Sequence, residues 1–242
     1  MNRKLKIELK SAFHTPTPKR KDEFLKNLDF PKTSNLDFIY NQVFYIRKRV
    51  WISSSLILIG ALLSLYLLTD INSFSVLWSI SSILPFIALL FITEVARSKS
   101  YNMAELEMSC KYNLLNIILV RLGILSGIHL VTFTILILAL FEKMEYGLIR
   151  VGIYLLVPFL LTCVLSLLVL NHFKTREVTY ICGGISCFVS ISSSIISVSN
   201  VSLFADQLFY VWGIAFCILL VAVAIQTVKY IKKLEELAWN LT

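Results

Sequence analysis

Six long apolar stretches follow a polar opening segment of 49 residues. Five of them contain no Asp, Glu, Lys or Arg, and the third contains only Arg121. A charged side chain at the centre of a spanning helix costs about 2.5–3.5 kcal/mol on insertion, so their scarcity indicates membrane spans of about 20 residues each. The stretches are residues 50–69, 74–93, 114–141, 151–170, 178–198 and 208–228.

These stretches predict an all-α polytopic membrane protein with a six-helix domain over residues 50–228. Helices are expected because lipid offers backbone groups no hydrogen-bond partners, and the alternating pattern of barrel strands is missing. The fifth span is the least secure, since it is rich in serine. The composition agrees, with 57% hydrophobic and 16% charged residues and a mean hydropathy of +0.76. It excludes a soluble enzyme, a disordered chain and a disulfide-stapled module.

The basic residues predict the orientation. Of 23 Lys and Arg, 20 fall on one side of the predicted spans, two on the other, and Arg121 lies within a span. The positive-inside rule then places both termini in the cytoplasm, including a tail at residues 229–242. No cleavable signal peptide precedes the first span. We expect a multi-pass protein of the cell membrane, in a bacterial plasma membrane.

The opening segment divides into a lead and an interfacial helix. Residues 1–33 form a basic cytosolic lead, expected to be drawn to anionic headgroups; no nucleic-acid-binding motif is present. Residues 34–49 begin with a capping pair, Ser34 and Asp37, and end in a basic run. Their apolar residues share one face and predict a helix in the membrane surface. The alternative is a plain cytosolic stub. That face comprises Leu36, Ile39, Tyr40, Val43 and Phe44.

The connection between the second and third spans predicts a short cytosolic helix over residues 102–112. Asn102 and Glu105 form a capping pair, and good helix formers follow. A helix held between two spans is placed where a partner could push on it; the alternative is a solvated loop. The partner-binding candidates are Asn102, Met103, Glu105, Leu106, Glu107 and Lys111.

Small residues in the fifth span share a helical stripe. Such a stripe lets helices approach closely in lipid, and the alternative is a pathway lined by serine hydroxyls. The cysteines, which are odd in number and form no CxxC pair, are interpreted as packing residues. The packing candidates are Gly183, Ser186, Cys187, Ser190 and Ser194.

Chemistry-bearing residues are sparse. No HExxH, GxSxG or phosphate-loop motif occurs, so we predict no catalytic residue, no metal and no cofactor. Three polar residues in or near the spans remain as candidates: Glu94, Arg121 and His129. We hypothesise an ion pair between Glu94 and Arg121, against a bland alternative in which Arg121 snorkels to the surface. His129 either titrates or is a neutral, hydrogen-bonded residue of the bundle.

The layout resembles the membrane subunits of type 2 ABC exporters. The residues similar to that family's pattern are Glu94, Arg97, the segment Ala104-Glu105-Leu106-Glu107, and Arg121. The glycine and proline usual around the family's coupling segment are missing. The resemblance implies that residues 102–112 dock on a separate ATP-binding subunit, and that two membrane subunits, alike or different, enclose one pathway.

Two functions follow from the sequence. The first is a permease subunit that moves a hydrophobic or peptide-like substrate without an ATPase of its own. The alternative is a membrane-embedded regulatory or interaction protein whose basic lead binds a soluble partner. A proton- or sodium-coupled transporter would show acidic residues at depth, and the spans contain none.

Overall fold

In a computed structural model of the chain, residues 35–67, 73–97, 114–143, 147–173, 177–199 and 208–239 are described. The elements in these ranges are seven α-helices, and six of them are long and apolar enough to cross a membrane. The predicted all-α architecture is confirmed, the fifth span included. The helices are α1 (Asn35–Tyr45), α2 (Lys48–Leu67), α3 (Ser73–Val95), α4 (Leu114–Lys143), α5 (Leu148–His172), α6 (Val178–Ser199) and α7 (Phe209–Trp239).

The chain divides into two compact units, Met1–Phe38 and Ile39–Thr242. Of the first, the structure describes only the residues that begin α1. The second holds the rest of α1 and all six spans. The predicted cytosolic helix at residues 102–112 lies outside the described residues, as does the whole of the predicted lead, residues 1–33. The predicted tail is helical through Trp239, because α7 continues past the sixth apolar stretch.

The centre of the bundle is built by α3 and α5. In their most apolar windows 56% and 61% of residues are buried, against 22% in both α2 and α6. Leucine and isoleucine side chains with no exposure, such as Ile80, Leu84 and Leu155, fill the space between these helices. Since lipid supplies no hydrophobic drive between helices, this packing rests on dispersion contacts and interhelical hydrogen bonds.

Two apolar clusters define the two ends of the bundle. One lies where α3 and α5 begin and α4 ends, and includes Leu77, Leu140 and Val151. The other lies where α3 and α5 end and α6 begins, and includes Val95 and Leu170. We name the second end proximal, because the chain enters α2 beside it, and the first end distal.

Candidate functional site

The proximal end holds a cluster of charged and polar side chains, which we name the tyrosine clamp. It comprises one aromatic ring, one carboxylate, two guanidinium groups and one amide, contributed by α1, the end of α3 and the first turns of α4. These groups are separated by up to 79 residues along the chain. Its members are Gln42, Tyr45, Glu94, Arg97 and Arg121.

The carboxylate of the clamp is paired with an arginine that lies two residues beyond the end of α3. Arg97 Nη1 lies 2.9 Å from Glu94 Oε1. The two residues are three apart, which places them side by side on a helix surface. Glu94 is only 3% exposed, and a buried carboxylate needs a charged or hydrogen-bonding partner. Arg97 therefore supplies the partner that this buried carboxylate needs at the end of α3.

The same guanidinium also binds the end of α1. Arg97 Nη1 donates a hydrogen bond to the Tyr45 carbonyl oxygen over 3.2 Å. Tyr45 is the last residue of α1, and the last carbonyls of a helix have no partner within the helix. A cation at this point also interacts favourably with the helix dipole. Arg97 thus caps α1 while it neutralises Glu94.

The second guanidinium reaches α1 from α4. Arg121 Nε donates to Gln42 Oε1 over 3.2 Å, one turn before Tyr45. Arg121 is 4% exposed, so its charge is held inside the protein rather than at the surface. The alternative, in which Arg121 snorkels to the membrane surface, stays a prediction.

The Tyr45 ring joins the two cations. The guanidinium carbon of Arg121 lies 4.7 Å from the ring centroid, and that of Arg97 lies 5.0 Å from it. Each contact is within the range of a cation–π interaction, about 0.5–2 kcal/mol depending on exposure. The structure therefore brings Glu94 and Arg121 into one cluster, connected through Arg97 and Tyr45. The direct ion pair between Glu94 and Arg121 stays a prediction.

A further set of hydrogen bonds ties α7 to the proximal ends of α3 and α5. The Tyr230 hydroxyl donates to the Val95 carbonyl over 3.4 Å. Asn171 Nδ2 donates to the side-chain oxygen of Gln226 over 3.0 Å, and Lys233 Nζ donates to the Asn171 carbonyl. The bonds to Val95 and Asn171 use carbonyls near helix C-termini, where partners within the helix are lacking. The proximal end is thus held by polar bonds among helices that are distant in sequence.

The clamp leads directly into the predicted partner-binding segment. Arg97 is the last described residue before residues 98–113, which contain Asn102, Met103, Glu105, Leu106, Glu107 and Lys111 and lie outside the described residues. Leu114 begins α4 on the other side, and Arg121 follows two turns later. The segment therefore has a clamp residue on each side: Arg97 directly before it, and Arg121 on the helix that follows it.

His129 is buried away from the clamp. Its ring packs edge-on against Phe91, with centroids 6.0 Å apart, and among the described residues its Nδ1 has no hydrogen-bond partner. Phe91 and His129 lie on α3 and α4, so the contact joins the same two helices as the clamp. The two alternatives for His129, a titrating residue or a neutral residue of the bundle, stay predictions.

The predicted small-residue stripe only partly coincides with the packed face of α6. Ser186 is fully buried, but Cys187 and Ser194 are exposed, and Gly183 and Ser190 are half-buried. Within this chain α6 packs through a face that includes Cys182 and Val189. The serine hydroxyls mostly donate to carbonyls of their own helix, as Ser186 does to Gly183 over 2.8 Å. A packing role for Cys187 and Ser194 stays a prediction.

Two clamp residues were missed by the sequence reasoning: Gln42 and Tyr45. The amphipathic pattern of α1 predicts a role only for its apolar face. Gln42 and Tyr45 lie on the opposite face of the helix. The available signal was local: an acid and an arginine at i and i+3 across the end of a span. The partners on α1 required the tertiary structure.

The chain matches no protein-family model, and no curated protein or solved structure matches it. The class is therefore defined by the fold. Six apolar helices of spanning length, packed around α3 and α5, make the chain a multi-pass, all-α membrane protein.

Proposed function

We propose that the chain is the membrane subunit of a transporter driven by a separate ATP-binding subunit. The tyrosine clamp is the observation that supports this most directly. A partner that moves residues 98–113 pulls on Arg97 at one flank and on α4 at the other. Through Tyr45 and Gln42 both flanks are joined to α1, so a local push becomes a joint movement of α1, α3 and α4.

The exposed face of α1 supports its place at the membrane surface. Ile39, Tyr40 and Phe44 are all exposed to the surroundings of the protein, and the Tyr40 and Phe44 rings pack edge to face, 4.9 Å apart. Three exposed apolar side chains on one face, followed by the exposed basic run of residues 47–49, fit a helix half-immersed among headgroups. α1 then couples the membrane surface to the clamp.

The remaining parts of the proposal follow the sequence. The proximal end faces the cytoplasm of a bacterial cell, where the ATP-binding subunit is located. Two membrane subunits, identical or different, enclose the pathway, and anionic headgroups hold the basic lead. The transported molecule is hydrophobic or peptide-like, because the spans contain few charged groups to bind an ion.

The experiment is capture of the full chain from its native membrane in mild detergent, followed by an ATPase assay. We expect an ATP-binding subunit to co-purify, and we expect the double substitution Glu105→Ala, Glu107→Ala to lose it. Glu142→Ala is the matched control, since Glu142 is exposed at the distal end of α4. No ATPase with the wild-type chain, or equal loss in the control, contradicts the proposal.

Deletion of residues 1–33 separates this function from that of a regulator. A permease keeps its ATPase partner and its coupled activity, at a reduced level, because the contacts of the clamp begin at Gln42. A regulator that acts through its basic lead loses its partner altogether. Complete loss after this deletion therefore counts against a permease.

A further inference from the structure

A cavity of about 190 Å³ lies between α3, α5, α6 and α7. It is in the distal half of the bundle, because α3, α5 and α7 contribute residues from their first halves and α6 from its second half. Ser81 lines the cavity and precedes Glu94 by 13 residues on α3, which places the cavity about 20 Å along the helix from the clamp. The two sites are therefore separate.

The cavity has apolar walls. Two indoles, Trp78 and Trp212, line it together with Pro158 and Val189, and none of the described residues in its lining is charged. The Trp212 indole packs edge to face against the Tyr154 ring, with the ring centroids 5.4 Å apart. This contact holds the indole in place. A ligand group that enters this space gives up its water without meeting a charge, so the cavity selects uncharged groups.

The serine hydroxyls in the wall are already engaged. Ser192 donates to the Val189 carbonyl over 3.0 Å, and Ser193 donates to the same oxygen over 2.6 Å. Their protons point to their own helix rather than to an occupant. The cavity therefore binds through apolar and aromatic contacts.

Two prolines weaken the wall at the same level. Pro158 has no N–H, so the Tyr154 carbonyl, four residues earlier, lacks its helical donor. The Ser81 hydroxyl donates to that carbonyl instead, over a long 3.4 Å. Pro85, inside α3, removes the helical donor for the Ser81 carbonyl in the same way. Such proline breaks are tolerated in spans where a neighbouring helix supplies the partner, and here they adjoin the cavity.

We propose that this cavity is a binding site for an uncharged, apolar ligand group of the size of one aromatic ring. An apolar cavity of about 150 Å³ holds benzene, and the indole walls favour an aromatic occupant through edge-to-face contacts. The ring enters from the bilayer past Leu161 and Ser192, which with Trp212 are the partly exposed members of the lining. That the ring belongs to the transported substrate rests on the proposed function; the binding itself does not.

Quenching of tryptophan fluorescence tests the site. The chain has four tryptophans, and the double substitution Trp51→Phe, Trp239→Phe leaves only the two of the cavity. This variant of the full chain, in phosphatidylcholine nanodiscs, is titrated with bromobenzene, whose heavy atom quenches indole on contact. We expect a saturable component above the linear quenching caused by partitioning into lipid.

A matched pair of substitutions on α6 locates that component. Val189→Phe fills the cavity, since Val189 lines it and is 4% exposed, whereas Ile191 is 59% exposed. We expect Val189→Phe to abolish the saturable quenching and Ile191→Phe to keep it. Where Val189→Phe yields no folded protein by circular dichroism, Ser192→Leu at the mouth replaces it, with the same loss expected.

Several results would overturn the site. One is quenching that stays linear in the two-tryptophan protein; another is a saturable component that survives both Val189→Phe and Ser192→Leu. A third comes from nanodiscs of brominated phosphatidylcholine: strong quenching there, with no saturable bromobenzene component, means that a lipid acyl chain fills the cavity. The assay contains no ATPase and no ATP. Failed capture of an ATPase with bromobenzene binding intact refutes the transporter alone, and the reverse pattern refutes the site alone.

Discussion

The two ends of the bundle are built on opposite principles. The proximal end is held by charges and hydrogen bonds, and its clamp joins helices through groups that are costly to leave unpaired. The distal end is held by apolar packing, and the hydrogen bond from Ser81 of α3 to the Tyr154 carbonyl of α5 is long at 3.4 Å. The molecule is therefore expected to be stiffest at the proximal end, where polar bonds join the helices, and most easily deformed beside the cavity, where the bordering bond is long.

Charge reversal in the clamp has the largest expected effect. Arg121→Glu places a carboxylate at a buried position in the cluster that already holds Glu94, and we expect a loss of about 3–5 kcal/mol in the free energy of unfolding. Adding Glu94→Arg restores one charge of each sign at the two positions and is expected to recover part of it. Thermal unfolding of the purified chain measures both. No recovery contradicts the direct ion pair.

Removal of the carboxylate comes next. Glu94→Ala removes the carboxylate that pairs with Arg97, and we expect a loss of about 2–3 kcal/mol in the free energy of unfolding; the loss is not larger because Arg97 keeps partial access to solvent. Glu142→Ala, at an exposed position, is expected to change stability by less than about 0.5 kcal/mol. Equal unfolding midpoints for the two variants would show that the proximal end does not depend on this pair.

The contribution of the ring is smaller. Tyr45→Leu keeps the Arg97 bond to the backbone carbonyl but removes both guanidinium contacts, and we expect a loss of about 1–2 kcal/mol. Tyr40→Leu is the matched control on the same helix, because Tyr40 is 64% exposed. A double-mutant cycle with Arg121→Met isolates one contact. A coupling energy of zero would mean that the ring only fills space.

The smallest effect is expected at the distal end. Ser81→Ala removes the hydroxyl that donates to the Tyr154 carbonyl in place of the N–H that Pro158 lacks. We expect a loss of about 1 kcal/mol in the free energy of unfolding. Ser82→Ala is the control, since Ser82 donates only within its own helix, to the Ser79 carbonyl over 2.8 Å. We expect unfolding to distinguish the two variants. A loss at Ser81 as large as that at Glu94 would abolish the contrast between the ends.

The fold was predictable because the bilayer imposes one strong rule. A run of about 20 residues without charges has to be a helix, so all six spans could be predicted from composition alone. The helix at Asn35–Tyr45 was also predictable, from the capping pair Ser34 and Asp37 and the spacing of its apolar residues. Its end was placed four residues too late, because the basic run 47–49 suits either an interfacial helix or the start of a span.

The clamp was only half predictable. Glu94 and Arg121 were singled out because charges near spans are rare, and that reasoning does not depend on tertiary structure. Their partners on α1, Gln42 and Tyr45, were not predicted, since nothing in the sequence distinguishes them from other residues of an interfacial helix. Only the tertiary structure brings α1 against Arg97 and Arg121. The cavity had no sequence signal beyond Pro85 and Pro158, because its walls come from four helices spread from Trp78 to Trp212.

The helix α4 is longer than the hydrocarbon layer of a bilayer is thick. Its 30 residues measure about 45 Å, roughly 15 Å more than the hydrocarbon layer. Tilt takes up part of this excess, and the remainder projects beyond the lipid. Arg121, held by Gln42 of α1, lies about 10 Å along the helix axis from the first residue, Leu114. The first two turns of α4 therefore extend the helix beyond its contact with α1, at the proximal end of the bundle.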